Sequence, residues 1–294
     1  MIKHLLVPLD GTQLAEAALP AAKALAKTLA ARITLLHLVE SDATPAVHGQ
    51  RHLTTATEAE EYLQQIRHQL AQDGLDIDCH VHDVAVSDVA GGIVAHRAEL
   101  HPDLIVMCRH GSGGLSRMLH GSLAQQVVSL GSPPLLMVRP EESTFKLSNL
   151  LVPLDGAPEH ELSLGLARQL ATAGNGRLHL ISVVSSLPSL AGRAATLSRF
   201  MPGTSQALQE LSADNLHDYL DRHLQRLKED GFTATAEVQI GKADEKIIQA
   251  VTSHDIDLIV IATHGKAGTR AFWANSMTDR LQSKTRQPLL LVPV

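Results

Sequence analysis

Residues 4–11 read HLLVPLDG, and residues 149–156 read NLLVPLDG. Three apolar residues run into proline, leucine, aspartate and glycine, and the block returns almost unchanged in the second half of the chain. Two further pairs keep the same phase. Residues 103–111 read DLIVMCRHG against DLIVIATHG at 257–265, and residues 134–138 read PLLMV against PLLLV at 288–292. Shared strand composition explains the apolar runs, but not PLDG and HG recurring in order. The chain is therefore read as a tandem duplication. The first domain is assigned to residues 1–141 and the second to residues 146–294. The polar, proline-bearing segment RPEEST at 139–144 joins them.

The 294 residues suit two domains. Hydrophobic residues make up 44% of the chain and aromatics only 2%, so each core must be aliphatic. The net charge of −6 and a pI near 6.3 argue against a nucleic-acid partner, which usually calls for a basic patch. The two cysteines, Cys79 and Cys108, fit a reducing compartment, and a cytoplasmic location is expected. Met1-Ile2-Lys3-His4 leads directly into an apolar run, so no leader is expected. No stretch reaches the roughly 18 apolar residues of a membrane span, so no membrane partner is expected.

Leu5-Leu6-Val7 is continuously apolar, as a parallel strand buried on both faces must be. The apolar spacing predicts a helix over 13–31, a strand over 32–39 and a second helix over 58–72 ended by Asp73-Gly74. Ile77, Cys79 and Val81 alternate with Asp78, His80 and His82, which predicts a half-buried strand. A helix over 89–100, a strand over 104–107, a helix over 123–130 and a strand over 135–138 complete the unit. In the second half, Phe232, Ala234, Ala236, Val238 and Ile240 alternate with polar residues as another half-buried strand. Residues 185–212, rich in Ser, Gly and Pro, are long for a plain connection.

Strands alternating with helices predict an α/β fold with parallel sheets and right-handed crossovers. Ligands of such sheets bind beyond the carboxyl ends of the strands, where strand order reverses. That points to the loops after the first and fourth strands. In Pro8-Leu9-Asp10-Gly11, the Asp10 carboxylate can accept hydrogen bonds from a ribose hydroxyl or base amine. It can equally cap the following helix. The fourth strand runs through Met107 into Cys108-Arg109-His110-Gly111, and a glycine-rich stretch leads to Gly121-Ser122-Leu123. Glycines allow close backbone approach to phosphate, and free N–H groups at a helix start attract anions. The alternative is a glycine-rich turn ahead of a helix capped by Ser122.

These loops resemble those of the universal stress protein family in its tandem form. ATP-binding members carry Gly, two residues, Gly, nine residues, then Gly-Ser or Gly-Thr after the fourth strand, and an Asp after the first. The resemblance covers nearly the whole chain, twice. It implies two tandem doubly wound domains, each a five-stranded parallel sheet of order 3-2-1-4-5 flanked by helices. It also implies ATP, with or without Mg2+, as ligand. Asp10, flanked by Pro8 and Leu9, would face ribose and adenine, and the Val39 backbone would face adenine. Gly111, Gly121 and Ser122 would hold the phosphates, with Met107, His110 and Leu123 lining the site. Cys108 stands where the motif has its first glycine.

The second copy departs further: Ala262 replaces the first glycine and Asn275-Ser276 replaces Gly-Ser, while Phe272 and Trp273 add bulk. Asp155, Gly265 and Ser276 form a weaker secondary site, and stability or dimerisation is its expected role. The resemblance also implies that strands such as 134–138 and 288–292 pair between domains. A tandem chain then mimics a dimer within itself, with homodimerisation as a further assembly.

Three functions follow: a nucleotide-binding stress or signalling module, a slow ATPase in the same pocket, or an interaction protein without a ligand. No general base for hydrolysis is evident. Walker A, GxGxxG, Gly-x-Ser-x-Gly and CxxC patterns are all missing. His80 and His82 share a strand face, with His96, His101 and His110 nearby in sequence. A tetrahedral site needs three or four convergent ligands. They are read as scattered solvent histidines, and no metal site is assigned.

Overall fold

The computed structural model describes residues 1–41, 46–47, 50–108, 123–131, 133–140, 144–185, 202–263 and 277–294. The chain divides into two compact units. The first holds residues 1–146 together with residues 263–274 and 286–294. The second holds residues 147–262 and 275–285.

In the first unit, β1 (His4–Pro8) buries His4, Leu5, Leu6 and Val7 completely or nearly so. It pairs in parallel with β2 (Arg32–Glu40). A two-stranded hairpin follows, β3 (Ala46–Val47) with β4 (Gln50–Arg51). Then β5 (Ile77–Val86) pairs in parallel with β2. On the other side of β1 lies β6 (Leu104–Cys108), followed by β7 (Leu135–Val138), both parallel. The order β5-β2-β1-β6-β7 is the 3-2-1-4-5 arrangement of a doubly wound sheet.

The second unit repeats the pattern. It contains β8 (Asn149–Pro153), β9 (Arg177–Ser185), β10 (Ala234–Gly241) and β11 (Leu258–Thr263), in the order β10-β9-β8-β11. All are parallel neighbours. The fifth strand of the second repeat, β12 (Leu289–Pro293), packs as part of the first unit. There it pairs antiparallel with β7, Leu290 opposite Leu136. The sheet is thus mostly parallel, with one antiparallel joint between two apolar strands.

Several helices differ from the sequence reading, each for a local reason. The helix expected over 13–31 is two helices, α1 (Gln13–Glu16) and α2 (Leu19–Leu29). Pro20 has no N–H to continue the first helix, and its ring would clash with the Glu16 carbonyl. It is accepted in the first turn of α2 instead. Next comes α3 (Ala56–Ala71), with Thr55 as its N-cap. The helix expected over 89–100 also breaks, into α4 (Val89–Ala95) and α5 (Arg97–Leu100). His96 stands at the join. Its Nδ1 donates to the Gly92 carbonyl at 2.7 Å, while its backbone N–H reaches the same oxygen only at 3.3 Å. The side chain competes with the helix for one acceptor.

The helix α6 (Leu123–Ser129) packs against α4. In the second unit α7 (Leu162–Gly174) follows a short 3-10 turn at Pro158–Glu161. Next is α8 (Pro202–Glu229), which takes in the end of the stretch expected as a connection over 185–212. The helices α9 (Ala243–Ser253) and α10 (Met277–Lys284) complete the unit. Ile240, expected to face inward, is 50% exposed near the end of β10. No helix among the described residues is long and apolar enough to cross a membrane.

Candidate functional site

Sheet order reverses around β1, which has β2 on one side and β6 on the other. The β1–β6 register pairs Leu5 with Leu104 and Leu6 with Ile105. Extended along both strands, it brings Leu9 beside Cys108. The two loops singled out in the sequence therefore leave neighbouring strands at the same end.

Asp10 is half-buried and does not cap α1 itself. The N-cap is Thr12, whose hydroxyl accepts from Ala15 N–H at 3.2 Å. Asp10 acts one step earlier. Its Oδ1 accepts from the Thr12 backbone at 2.9 Å and from the Thr12 hydroxyl at 2.7 Å. Among the described residues, the hydrogen bonds to this carboxylate all fall on Oδ1. The Asp10 carbonyl accepts from Leu53 N–H at 3.1 Å, which ties the segment after β4 to this loop. Gly11 has φ +87°, and a Cβ there would lie 2.6 Å from Leu53 Cγ. Both backbone angle and space require glycine.

Leu9 is anchored by its N–H to Leu36 O at 2.8 Å, and Pro8 ends β1 opposite Leu36. Val39 lies at an irregularity in the β2–β5 ladder: Leu38 faces His82, but Glu40 faces Val86. The ladder is disrupted at the residue the sequence reading assigns to adenine. Met107 is buried opposite Met137 in β7, and Cys108 is half-buried opposite Val138. Cys79 and Cys108 do not form a disulfide. Leu123 begins α6. His110, Gly111, Gly121 and Ser122 lie outside the described residues, as do Gly265 and Ser276 in the second copy.

The structure adds neighbours that the sequence reading did not single out. His37, in the middle of the apolar run of β2, is 2% exposed and donates from Nδ1 to the Leu9 carbonyl at 2.8 Å. Burial holds its pKa below the usual histidine value; the Leu9 carbonyl opposes this, and His52 adds to it. His52 Nε2 lies 3.5 Å from Glu40 Oε1. Tyr62 donates to Glu16 Oε1 at 3.0 Å. Burial pushes its phenol far up, with Glu16 and then Asp10 adding to the effect. A histidine between the apolar pairs Leu35-Leu36 and Leu38-Val39 is a signal in the sequence. Tyr62 gave none, because its meeting with Glu16 depends on how α3 crosses α1.

The second copy uses its matching aspartate differently. Asp155 Oδ1 accepts from Ala157 N–H at 3.0 Å and from His160 Nδ1 at 2.8 Å. The Asp155 side chain is 61% exposed.

Elsewhere, three histidines read as scattered in the sequence converge. One ring nitrogen each from His80, His82 and His96 lies within 4.8 Å of the others. His101 sits in the left-handed region at the end of α5, outside this group.

A doubly wound sheet with a carboxylate beyond its first strand, built twice, defines the class. The chain belongs to the universal stress protein family, whose model matches residues 1–139 and again residues 146–293. It is similar to universal stress protein YxiE of Bacillus subtilis, 30% identical over 152 residues, which is 47% of this chain and all of that one. It is also similar to universal stress protein MJ0577 of Methanocaldococcus jannaschii, 26% identical over 49% of this chain and 93% of that one. Among solved structures, a universal stress protein from Archaeoglobus fulgidus has a TM-score of 0.71 at 15% identity, covering 99% of this chain and 96% of that one. At that identity the likeness speaks to the fold alone.

Proposed function

We propose that the first copy binds an adenine nucleotide, with ATP as the form to test first, with or without Mg2+. The crevice lies beyond the carboxyl ends of β1 and β6. The chain acts as a stress-response or signalling module whose conformation or choice of partner follows the nucleotide. The observation that carries this reading is Asp10. It stands beyond β1 at the point of strand-order reversal, with Oδ1 engaged by Thr12 and Oδ2 as the acceptor for ribose hydroxyls. Val39, in the disrupted ladder, supports it from the adenine side. The loop of Gly111, Gly121 and Ser122 supplies the phosphate contacts, by its resemblance to the family's motif. The second copy is scaffold: its aspartate already holds His160.

Native mass spectrometry of the full chain purified without added nucleotide, with thermal unfolding in millimolar ATP, tests this. Ligand at a hundredfold excess over its Kd should add about 2.7 kcal/mol of stability. Absence of both bound nucleotide and thermal shift overturns the reading.

A further inference from the structure

The two copies can be aligned through their ladders, position by position. His80 pairs with Leu36 and His82 with Leu38 in the first. Glu237 pairs with Ile181 and Gln239 with Val183 in the second. Pro8 faces Leu36 and Pro153 faces Ile181, so these registers are equivalent. His80 thus corresponds to Glu237, and His82 to Gln239. His96 and His254 each end the helix that follows, α4 and α9.

In the second copy this trio satisfies itself. Gln239 donates to Glu237 at 2.7 Å, and His254 Nε2 lies 3.3 Å from the other Glu237 oxygen. In the first copy the same three places hold three imidazoles and no carboxylate. The His96 ring meets His80 at 4.8 Å and His82 at 5.0 Å between centroids, edge-on at 69° and 89°. His96 is 5% exposed, and its Nδ1–H is committed to the Gly92 carbonyl. That bond fixes the tautomer and leaves Nε2 with its lone pair, as in histidines that ligate metals. Glu99 on α5 comes within 4.0 Å of His80 Nδ1.

We propose that His80, His82 and His96 form a binding site for a divalent cation of the zinc class, with Glu99 or a water as the fourth ligand. Imidazole donors suit zinc, cobalt, nickel or copper, not magnesium or calcium. Metal–nitrogen bonds of 2.0–2.1 Å place tetrahedral donors about 3.3 Å apart. The three nitrogens, within 4.8 Å, therefore close by about 1.5 Å. Small side-chain rotations of the half-buried His80 and His82 supply that movement around the fixed His96. The bound ion cross-links edge strand β5 to the α4–α5 join. This site is separate from the nucleotide crevice and needs no nucleotide.

The test is zinc binding to the full chain, stripped with a chelator and kept free of nucleotide. Competition with a chromophoric chelator should give one tightly held ion per chain. Cobalt(II) in its place should show the strong visible bands of a tetrahedral site. Replacing His80 with Glu and His82 with Gln together installs the residues the second copy already folds with. This double variant should lose at least about tenfold in affinity, as should His82→Gln alone to a lesser degree. His68→Gln, on the exposed face of α3, should change nothing. Zinc bound as tightly by the double variant, no tightly held ion in the wild type, or only weak octahedral cobalt bands would each overturn the proposal.

Discussion

His160 donates from Nδ1 to Asp155 Oδ1 at 2.8 Å, whereas the matching Asp10 of the first copy takes Thr12. The same aspartate in the same turn thus has different company in the two copies. We expect Asp10→Ala to abolish the ATP-dependent thermal shift and Asp155→Ala to leave it intact. A shift that survives in Asp10→Ala and disappears in Asp155→Ala would transfer the site to the second copy.

The paired glycines after these strands separate strain from crowding. Gly11 and Gly156 have nearly the same φ, +87° and +86°. A Cβ at Gly11 meets Leu53 at 2.6 Å, while at Gly156 it meets Leu216 at an ordinary 3.5 Å. Gly156→Ala should cost about 1–2 kcal/mol from the left-handed backbone alone. Gly11→Ala should cost more, by about 1–3 kcal/mol for overpacking. Urea unfolding of the two variants measures the difference, and equal costs would mean that Leu53 yields freely.

Acid should weaken the fold through His4. This ring is 4% exposed, and its Nδ1 accepts from Arg32 at 3.2 Å while Nε2 donates to Thr34 at 2.7 Å. Burial, then the Arg32 charge, lowers its pKa. The unfolded chain therefore binds the proton more readily than the folded one. The stability at stake is complete above the ordinary histidine value of about 6.5 and is lost as pH falls below it. His4→Asn, which copies Asn149, should flatten the fall in unfolding midpoint between about pH 7 and pH 5. An unchanged slope would remove His4 from the account.

Leu136 and Leu290 face each other across the antiparallel joint, each 1% exposed. Either change to Ala should cost about 2–5 kcal/mol. Together they should depart from additivity by about 0.5–3 kcal/mol, as contacting residues do. A double-mutant cycle by denaturant unfolding reads this directly. Strict additivity would deny the contact.

Much of this architecture was legible because the repeat exposed it. HLLVPLDG and DLIV mark strands whose burial on both faces demands unbroken apolar runs, and both lie at the centre of the sheet. Asp10 was legible as a residue, but its role was not. Thr12, two positions on, takes the cap, and only the turn's geometry distinguishes the two. Pro20 carries a helix-breaking signal, but the apolar spacing of residues 13–31 runs on across it. The histidine trio shows the limit of local reading. His80 and His82 declare a shared face through their spacing of two. His96 joins them only because α4 stops where it does and leaves the His96 ring against His80 and His82 of β5. The placement of β12 depends on pairing between residues far apart in sequence, which no local pattern encodes.

That placement has a consequence for synthesis. Leu289 meets Met137 across about 150 intervening residues. On the ribosome, β7 is made long before its antiparallel neighbour, and until β12 emerges the edge of Leu135–Val138 stays open. An open edge of four apolar residues is a template for any strand of matching pattern. On a crowded polysome the best-matched strand is the same β12 carried by a neighbouring nascent chain. Exchange of that one strand would make an intertwined pair from two otherwise correctly folded chains.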